Sequence, residues 1–394
     1  MLQKLKSQIR YIQLPSEAKR LARRDNSGHF FSDPGPERVV AEGVAWLGRA
    51  QDRNALGDSG VARDYSLING WASSYPETTG YIVPTMIDYG KYADARESID
   101  RAKRMLDWLA AIQLPNGGFQ GGKIDATPVV PVTFNTGQIL LGLAAGVAHF
   151  GEYQDATHRA ASFLRDSLDE DGCWRSHPTP FAAAGEKSYE THVSWGLFEA
   201  ERVFPGHGYG DAGLRQVAWA LGNQTDNGWI GDCCLTDPEA PLTHTLGYAL
   251  RGIVEAYRLS GDNKVLEAAR KTADGLLTAL SGHGYLAGRL RRDWTAAVDW
   301  VCLTGSSQIA HSWLLLYRIT GDRKYRDAGY LTNAFVRRTI DIGGCDEIRG
   351  AVKGSHPICG DYGRYEYLNW AVKFTVDSNL CELEVIDSEA HRPK

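Results

Sequence analysis

One short turn signal recurs along the chain: Gly117 in Asn-Gly-Gly-Phe, Gly172 in Asp-Gly-Cys-Trp, Gly228 in Asn-Gly-Trp, Gly284 in His-Gly-Tyr and Gly343 in Gly-Gly-Cys. The intervals are 55, 56, 56 and 59 residues. A fixed period of that length marks one supersecondary unit used repeatedly. After each signal come a long polar loop, an apolar helical stretch, a brief turn and an amphipathic helical stretch.

The apolar stretches span residues 80–92, 135–150, 192–204, 244–259, 305–319 and 369–380, and are expected to form an inner ring. The amphipathic stretches span 95–113, 154–168, 211–224, 263–280 and 323–340, with charges between apolar residues at helical spacing, as in half-exposed outer helices. The sixth outer helix is expected at 36–51, where Val39, Val40, Val44, Trp46 and Leu47 keep that spacing, closing the ring beside the last inner helix. Residues 1–35 are expected to form an N-terminal helical extension and 36–394 one domain.

Composition excludes several classes. A net charge of -5, with both signs mixed along most of the chain, gives no footprint for nucleic acid. The cluster Lys4, Lys6, Arg10, Lys19, Arg20, Arg23 and Arg24 reads as a solvated helix packed on the outside. No run of about 18 apolar residues predicts a membrane span, and the first 25 residues carry no signal-peptide core. Seven cysteines without C-x-x-C spacing suit reduced thiols in a cytoplasm. No Walker loop, dinucleotide fingerprint or nucleophile elbow occurs, and no cofactor is expected.

Short turns such as Gly151-Glu152, Gly261-Asp262 and Gly321-Asp322 join inner to outer helices, with Gly as C-cap and Asp as the next start. The opposite connections are long and rich in Trp, Tyr, His and Asp. They mark the working face. Over residues 36–385 the pattern resembles the (α/α)6 toroids of the six-hairpin glycosidases and the related polysaccharide lyases and uronyl C5-epimerases. The resemblance implies an all-α toroid of six inner and six outer helices and a saccharide substrate. The Gln113–Phe119 and Gln224–Trp229 stretches also look like terpenoid-cyclase repeats, but no Asp-x-Asp-Asp motif accompanies them.

Each inner stretch except the last opens on Thr, with Gly close behind: Thr79-Gly80, Thr136-Gly137, Thr191 before Gly196, Thr243 before Gly247, and Thr304-Gly305. Thr is expected to cap and Gly to let the helix ends crowd around one axis, converging their positive dipole ends on a pocket. Four acids stand at or before these starts: Glu77, Glu190, Asp299 and Asp361. Glycoside hydrolysis needs two carboxyl groups across the scissile bond, one protonated and one ionised. His192 and His244 occupy equivalent places and are candidate acid–base groups.

Aromatic rings stack on sugar faces and phenols bond to hydroxyls, which makes Tyr65, Tyr75, Tyr81, Trp300, Tyr362, Tyr365 and Tyr367, with Arg364, candidate substrate contacts. Trp195 and Trp370, at helical spacing, read as core. The concentrated basic group is Arg289, Arg291 and Arg292. Cys302, His356 and Cys359 offer a zinc donor set of lanthionine-cyclase-like type, but no metal is expected. The leading expectation is a glycoside hydrolase. Its rivals are a uronyl epimerase or lyase that uses Tyr or His, a zinc-dependent cyclase-like protein, and a glycan-binding scaffold. Oligomeric state is left open.

Overall fold

The computed structural model describes residues 14–391. Lys4, Lys6 and Arg10 of the basic cluster lie outside that range. Helix α1 (Ser16–Asn26) leads into twelve helices that alternate between the two rings: α2 (Pro36–Asp52), α3 (Pro76–Tyr92), α4 (Arg96–Ile112), α5 (Thr133–Phe150), α6 (Gln154–Asp166), α7 (Thr191–Val203), α8 (Tyr209–Gly222), α9 (Thr243–Ser260), α10 (Asn263–Ala279), α11 (Leu303–Thr320), α12 (Arg323–Arg337) and α13 (Asn369–Ala390). The odd-numbered helices from α3 to α13 form the inner ring, each packed on the next, and α13 closes on α3 while α2 covers it from outside. The fold is an all-α (α/α)6 toroid. Helix α13 runs ten residues beyond the expected end at 380, because Cys381, Leu383 and Val385 continue its buried face. Among the described residues no helix is long and apolar enough to cross a membrane.

Glycine sets the diameter of the inner ring. A Cβ on Gly142 of α5 would lie 2.3 Å from the Gly80 carbonyl oxygen of α3, and one on Gly196 of α7 would lie 2.4 Å from that of Gly137. Gly252 of α9 meets the Thr191 carbonyl oxygen at 2.2 Å, and Gly305 of α11 meets the His244 nitrogen at 2.5 Å. Four of the six inner interfaces are therefore backbone against backbone. The remaining two use side chains: Ser307 Oγ meets Thr375 Oγ1 at 2.9 Å between α11 and α13, and Asn369 Nδ2 donates to Thr78 Oγ1 at 2.7 Å between α13 and α3.

The turn glycines dock successive repeats on one another. Gly117, Gly172, Gly228 and Gly284 hold φ between 81° and 91°, and their N–H groups donate to the carbonyls of Leu114, Asp169, Thr225 and Ser281. A Cβ on each would strike a carbonyl oxygen of the next outer helix, that of Arg159, Arg215, Lys271 or Leu331, at 2.2 to 2.6 Å. Gln113 and Gln224 reinforce two of these junctions by donating to Ala156 O and Ala268 O at 2.9 and 2.8 Å. Gln51 makes the matching bond to Arg101 O at 3.3 Å.

The fifth signal departs from expectation. Gly343 has no positive φ and meets nothing closer than 3.9 Å, whereas Gly350, with φ 77°, abuts the Glu42 carbonyl oxygen of α2 at 2.3 Å. Gly350 is the structural member of the set, displaced because the loop before α13 is longer. Asp262 and Asp322 cap α10 and α12 as expected, accepting from the Lys264 and Lys324 N–H groups at 2.8 and 3.3 Å.

Replacing Gly350 by Ala is expected to cost more than about 2 kcal/mol, since it adds a clash to a left-handed backbone. Gly343→Ala is expected to stay within about 0.5 kcal/mol of wild type. Denaturant unfolding midpoints of the two variants check the assignment.

Candidate active site

The inner-helix N-termini meet the long loops around a cavity of about 220 Å³. Helix α3 contributes Glu77, Thr78 and Tyr81; α5 Phe134; α9 His244, Thr245 and Tyr248; and α13 Trp370. Tyr189 comes from the 3-10 turn Ser188–Glu190 ahead of α7. Loops add Arg63, Tyr75, Thr179, Phe181, Leu235 and Tyr362. Positive helix ends therefore face the ligand space from several sides.

The starting threonines do not cap. Thr79 Oγ1 donates back to Tyr75 O at 2.8 Å and accepts from Val61 N at 3.0 Å, and Thr136 Oγ1 does the same with Val132 O and Phe119 N at 2.8 and 2.9 Å. Thr191 and Thr243 reach the carbonyls of Ala249 and Gly288 at 3.1 and 3.3 Å. Lying inside the helices rather than ahead of them, these four hydroxyls tie α3, α5, α7 and α9 to a loop or a neighbouring helix.

Glu77 is 7 % exposed, and burial pushes its carboxyl up to about 8 against the opposing pull of a Tyr75 hydrogen bond and the Arg63 charge. It is a protonated carboxylic acid at neutral pH. His244 behaves conversely: burial lowers its imidazole to about 4. Its Nδ1 lies 2.7 Å from Gln308 Oε1, and with that oxygen as acceptor the proton sits on Nδ1 and the lone pair on Nε2. Tyr248 packs between the rings of His192 and His244, 4.4 Å from each, and burial holds its phenol well above the ordinary range.

Arg63 stands at the mouth. Strand β1 (Asp64–Ser66) pairs antiparallel with β2 (Gly70–Trp71) and, across the ring seam, with β5 (Glu366–Leu368), placing Ser66 opposite Glu366. Arg63 Nη1 consequently reaches Asp64 Oδ2 at 2.5 Å and Glu366 Oε2 at 3.2 Å, while its guanidinium lies 5.2 Å from the Trp370 ring. A groove of about 530 Å³ continues outward past Asp64, Asn69, Trp71, Lys123 and Glu366, sharing Arg63, Tyr75 and Phe181 with the cavity. Phe181 is 55 % exposed at this junction, an aromatic surface open to solvent. A second cleft of about 480 Å³, formed by residues 174–190, shares Thr179 and Tyr189.

The sequence-derived candidates separate in space. Glu77, Tyr75, Tyr81, Tyr362 and His244 line the cavity. Glu190 lines the second cleft, 6 % exposed and raised to about 8 by burial. His192 is fully buried beneath the floor, its Nδ1 2.6 Å from Gln138 Oε1. Asp299, Asp361 and Arg364 are exposed and line neither cavity nor groove, and Arg364 lies 5.8 Å over Tyr365. Tyr65 packs on Trp71 at 5.1 Å; Trp300 is buried with Leu242 and Cys302 behind Tyr362; Tyr365 and Tyr367 are buried outside the cavity. Trp370, read as core, is a wall residue whose indole N–H donates to the Tyr362 hydroxyl at 2.9 Å. Trp195 does lie within the ring, beneath Arg251 at 4.0 Å.

Among the described residues no three His, Cys, Asp or Glu side chains gather as metal ligands; His356 Nδ1 faces Lys353 Nζ at 3.4 Å instead of Cys302 and Cys359. The readings from sequence passed over Asp64, Phe134, Phe181, Tyr189, Tyr248 and Glu366. Tyr248 was legible, lying one helical turn beyond His244. Glu366 alternates with the buried Tyr365 and Tyr367, the strand signature of the opposite face.

The proton on Glu77 has a stability consequence. Its folded value near 8 lies above the ordinary 4.5, so the native state keeps a proton that the unfolded chain loses, and stability falls as pH rises through that window. Glu77→Gln is expected to match wild type near pH 4 and gain progressively up to pH 8, by an order of 4 to 5 kcal/mol. Unfolding midpoints of both proteins across that range measure the gain.

The sequence matches no protein-family profile and no curated protein. Solved structures are similar in fold. An unsaturated glucuronyl hydrolase specific for heparin aligns with TM-score 0.71 at 15 % identity, over 89 % of this chain and 98 % of that one. The GH76 alpha-mannanase of Bacteroides thetaiotaomicron aligns with TM-score 0.63 at 12 % identity, over 90 % and 97 %. A polysaccharide lyase aligns with TM-score 0.64 at 10 % identity, over 91 % and 99 %. The chain thus shares the (α/α)6 toroid of these six-hairpin glycosidase-like proteins along nearly its whole length.

Proposed function

We propose that this protein is a glycoside hydrolase that removes a terminal residue from an oligo- or polysaccharide. The observation that carries the proposal is Glu77, a buried acid lining a small cavity at the convergent helix N-termini. At about 220 Å³ the cavity falls below the roughly 300 Å³ of small-ligand sites, room for one sugar ring rather than a chain segment. The groove beyond Arg63 receives the remainder of the substrate. The fold neighbours include enzymes named for polysaccharide substrates.

Glu77 donates its proton to the departing glycosidic oxygen, and Tyr75 then stabilises the carboxylate by hydrogen bonding. His244, neutral with its Nε2 lone pair open, accepts the proton of the attacking water. Asp64 and Glu366 stay paired with Arg63 and set the charge at the mouth. Trp370, Tyr362 and Phe181 supply ring faces for stacking. Seven free thiols accord with a reducing cytoplasm.

Elimination at a uronate is the rival chemistry, favoured by Tyr248 lying against His244. Against it, burial raises the Tyr248 phenol, which disfavours the phenolate that a tyrosine base needs. Neutral and uronic-acid-terminated oligosaccharides separate the two: hydrolysis gives a saturated reducing sugar, elimination a new unsaturated-uronate absorbance.

The rate is expected to follow a bell in pH, with the acidic limb near 4 as His244 protonates and the alkaline limb near 8 as Glu77 ionises. Glu77→Gln is expected to lose about 10²- to 10⁴-fold in kcat and to abolish the alkaline limb. Retained kcat would remove Glu77 from the mechanism.

A further inference from the structure

The toroid is complete without α1, yet the last turn of that helix grips the segment that leads to one wall of the cavity. Asp25 is buried at 5 % exposure and accepts three hydrogen bonds: two from Lys353 Nζ at 2.9 and 2.8 Å, and one from the Ile358 N–H at 2.9 Å. Its neighbour Asn26 donates to Cys359 Sγ at 3.4 Å. Lys353 is equally buried, and nothing in ring closure calls for a lysine there.

The gripped segment leads directly to the cavity. Strand β4 (Ser355–His356) pairs with β3 (Val301–Cys302) ahead of α11. Ser355 Oγ donates to Tyr362 O at 2.6 Å and accepts from Tyr362 N at 3.1 Å. Gly354 N–H donates to Glu366 O at 3.0 Å, and Leu368 N–H to Val352 O at 3.1 Å. Tyr362 forms the cavity wall against His244, ring to ring at 5.5 Å, and Glu366 holds Arg63 at its mouth. Two links separate Asp25 from each.

We propose that Asp25 is a positioning residue for the candidate active site: by holding Lys353 and Ile358 it fixes the segment that sets Tyr362 and Glu366, a role that rests on the cavity reading above. A carboxylate with three donors in fixed directions defines a position, which a hydrophobic contact would not. A displacement of about 1 Å in a reacting constellation costs up to about 100-fold in rate, so loss of the anchor is read in turnover.

The test is the double variant Asp25→Asn with Lys353→Met in the full chain, beside Lys353→Arg, which keeps the charge pair while displacing its donors. Removing both buried charges together keeps the folded state close to wild-type stability. Three readouts are taken: the thermal midpoint, alkylation of Cys359 by iodoacetamide with exposed Cys345 as internal standard, and kcat and KM on a saccharide that the wild type turns over. Expected are a near-wild-type midpoint, Cys359 alkylation about tenfold faster relative to Cys345, and kcat lower by about tenfold, with Lys353→Arg lowering kcat severalfold. A kcat within about twofold of wild type in both variants would overturn the positioning role. Should the wild type turn over no saccharide, the cavity reading fails on its own, and an unchanged Cys359 rate would then overturn the anchor as well.

Discussion

The molecule depends on the close approach of its inner helices. Gly142, Gly196, Gly252 and Gly305 each present bare backbone to a backbone atom of the neighbouring helix, so that even one added methyl group would meet it at 2.2 to 2.5 Å. A ring this tight leaves a small cavity at its end, where the lining residues Tyr81 and Tyr248 both pack on Phe374. It also crowds the positive ends of the helices together on one face, where a developing negative charge is favoured. The site is in this sense a product of the glycine spacing rather than an addition to it.

Within that enclosure, desolvation decides the chemistry. Glu77 and His244 are driven in opposite protonic directions by the same cause, since burial disfavours the charged form of each. The outcome is an uncharged donor and an uncharged acceptor in one cavity at neutral pH, the pairing that the proposed proton transfers to a leaving oxygen and from a water call for. Arg63 remains ionised because two carboxylates flank it at the edge, where Asp64 follows it in sequence and Glu366 arrives across the β1–β5 pairing.

The toroid was legible because helix periodicity and glycine recurrence are local signals that repeat. The assignment of Gly343 failed for a related reason: spacing alone cannot distinguish a glycine that matches the period from Gly350, which meets the next helix. Glu77 was legible from its place at the start of an inner helix. Asp299 and Asp361 occupy comparable places in sequence yet face solvent, because the long loops fold back differently in each repeat. Asp64 and Glu366 are brought together by strands some 300 residues apart, and no local pattern records such a pairing. Trp370 illustrates a further limit, since an aromatic at helical spacing reads the same whether it faces a core or a cavity.

The central claim is that Glu77 carries a proton at neutral pH inside the cavity. Infrared difference spectra between wild type and Glu77→Gln, recorded across pH 4 to 10, observe that proton without any substrate. The account predicts a carboxylic-acid carbonyl band, present in wild type alone, that persists through pH 7 and is lost with a midpoint near 8. A carboxylate signature already complete at pH 6 would contradict it.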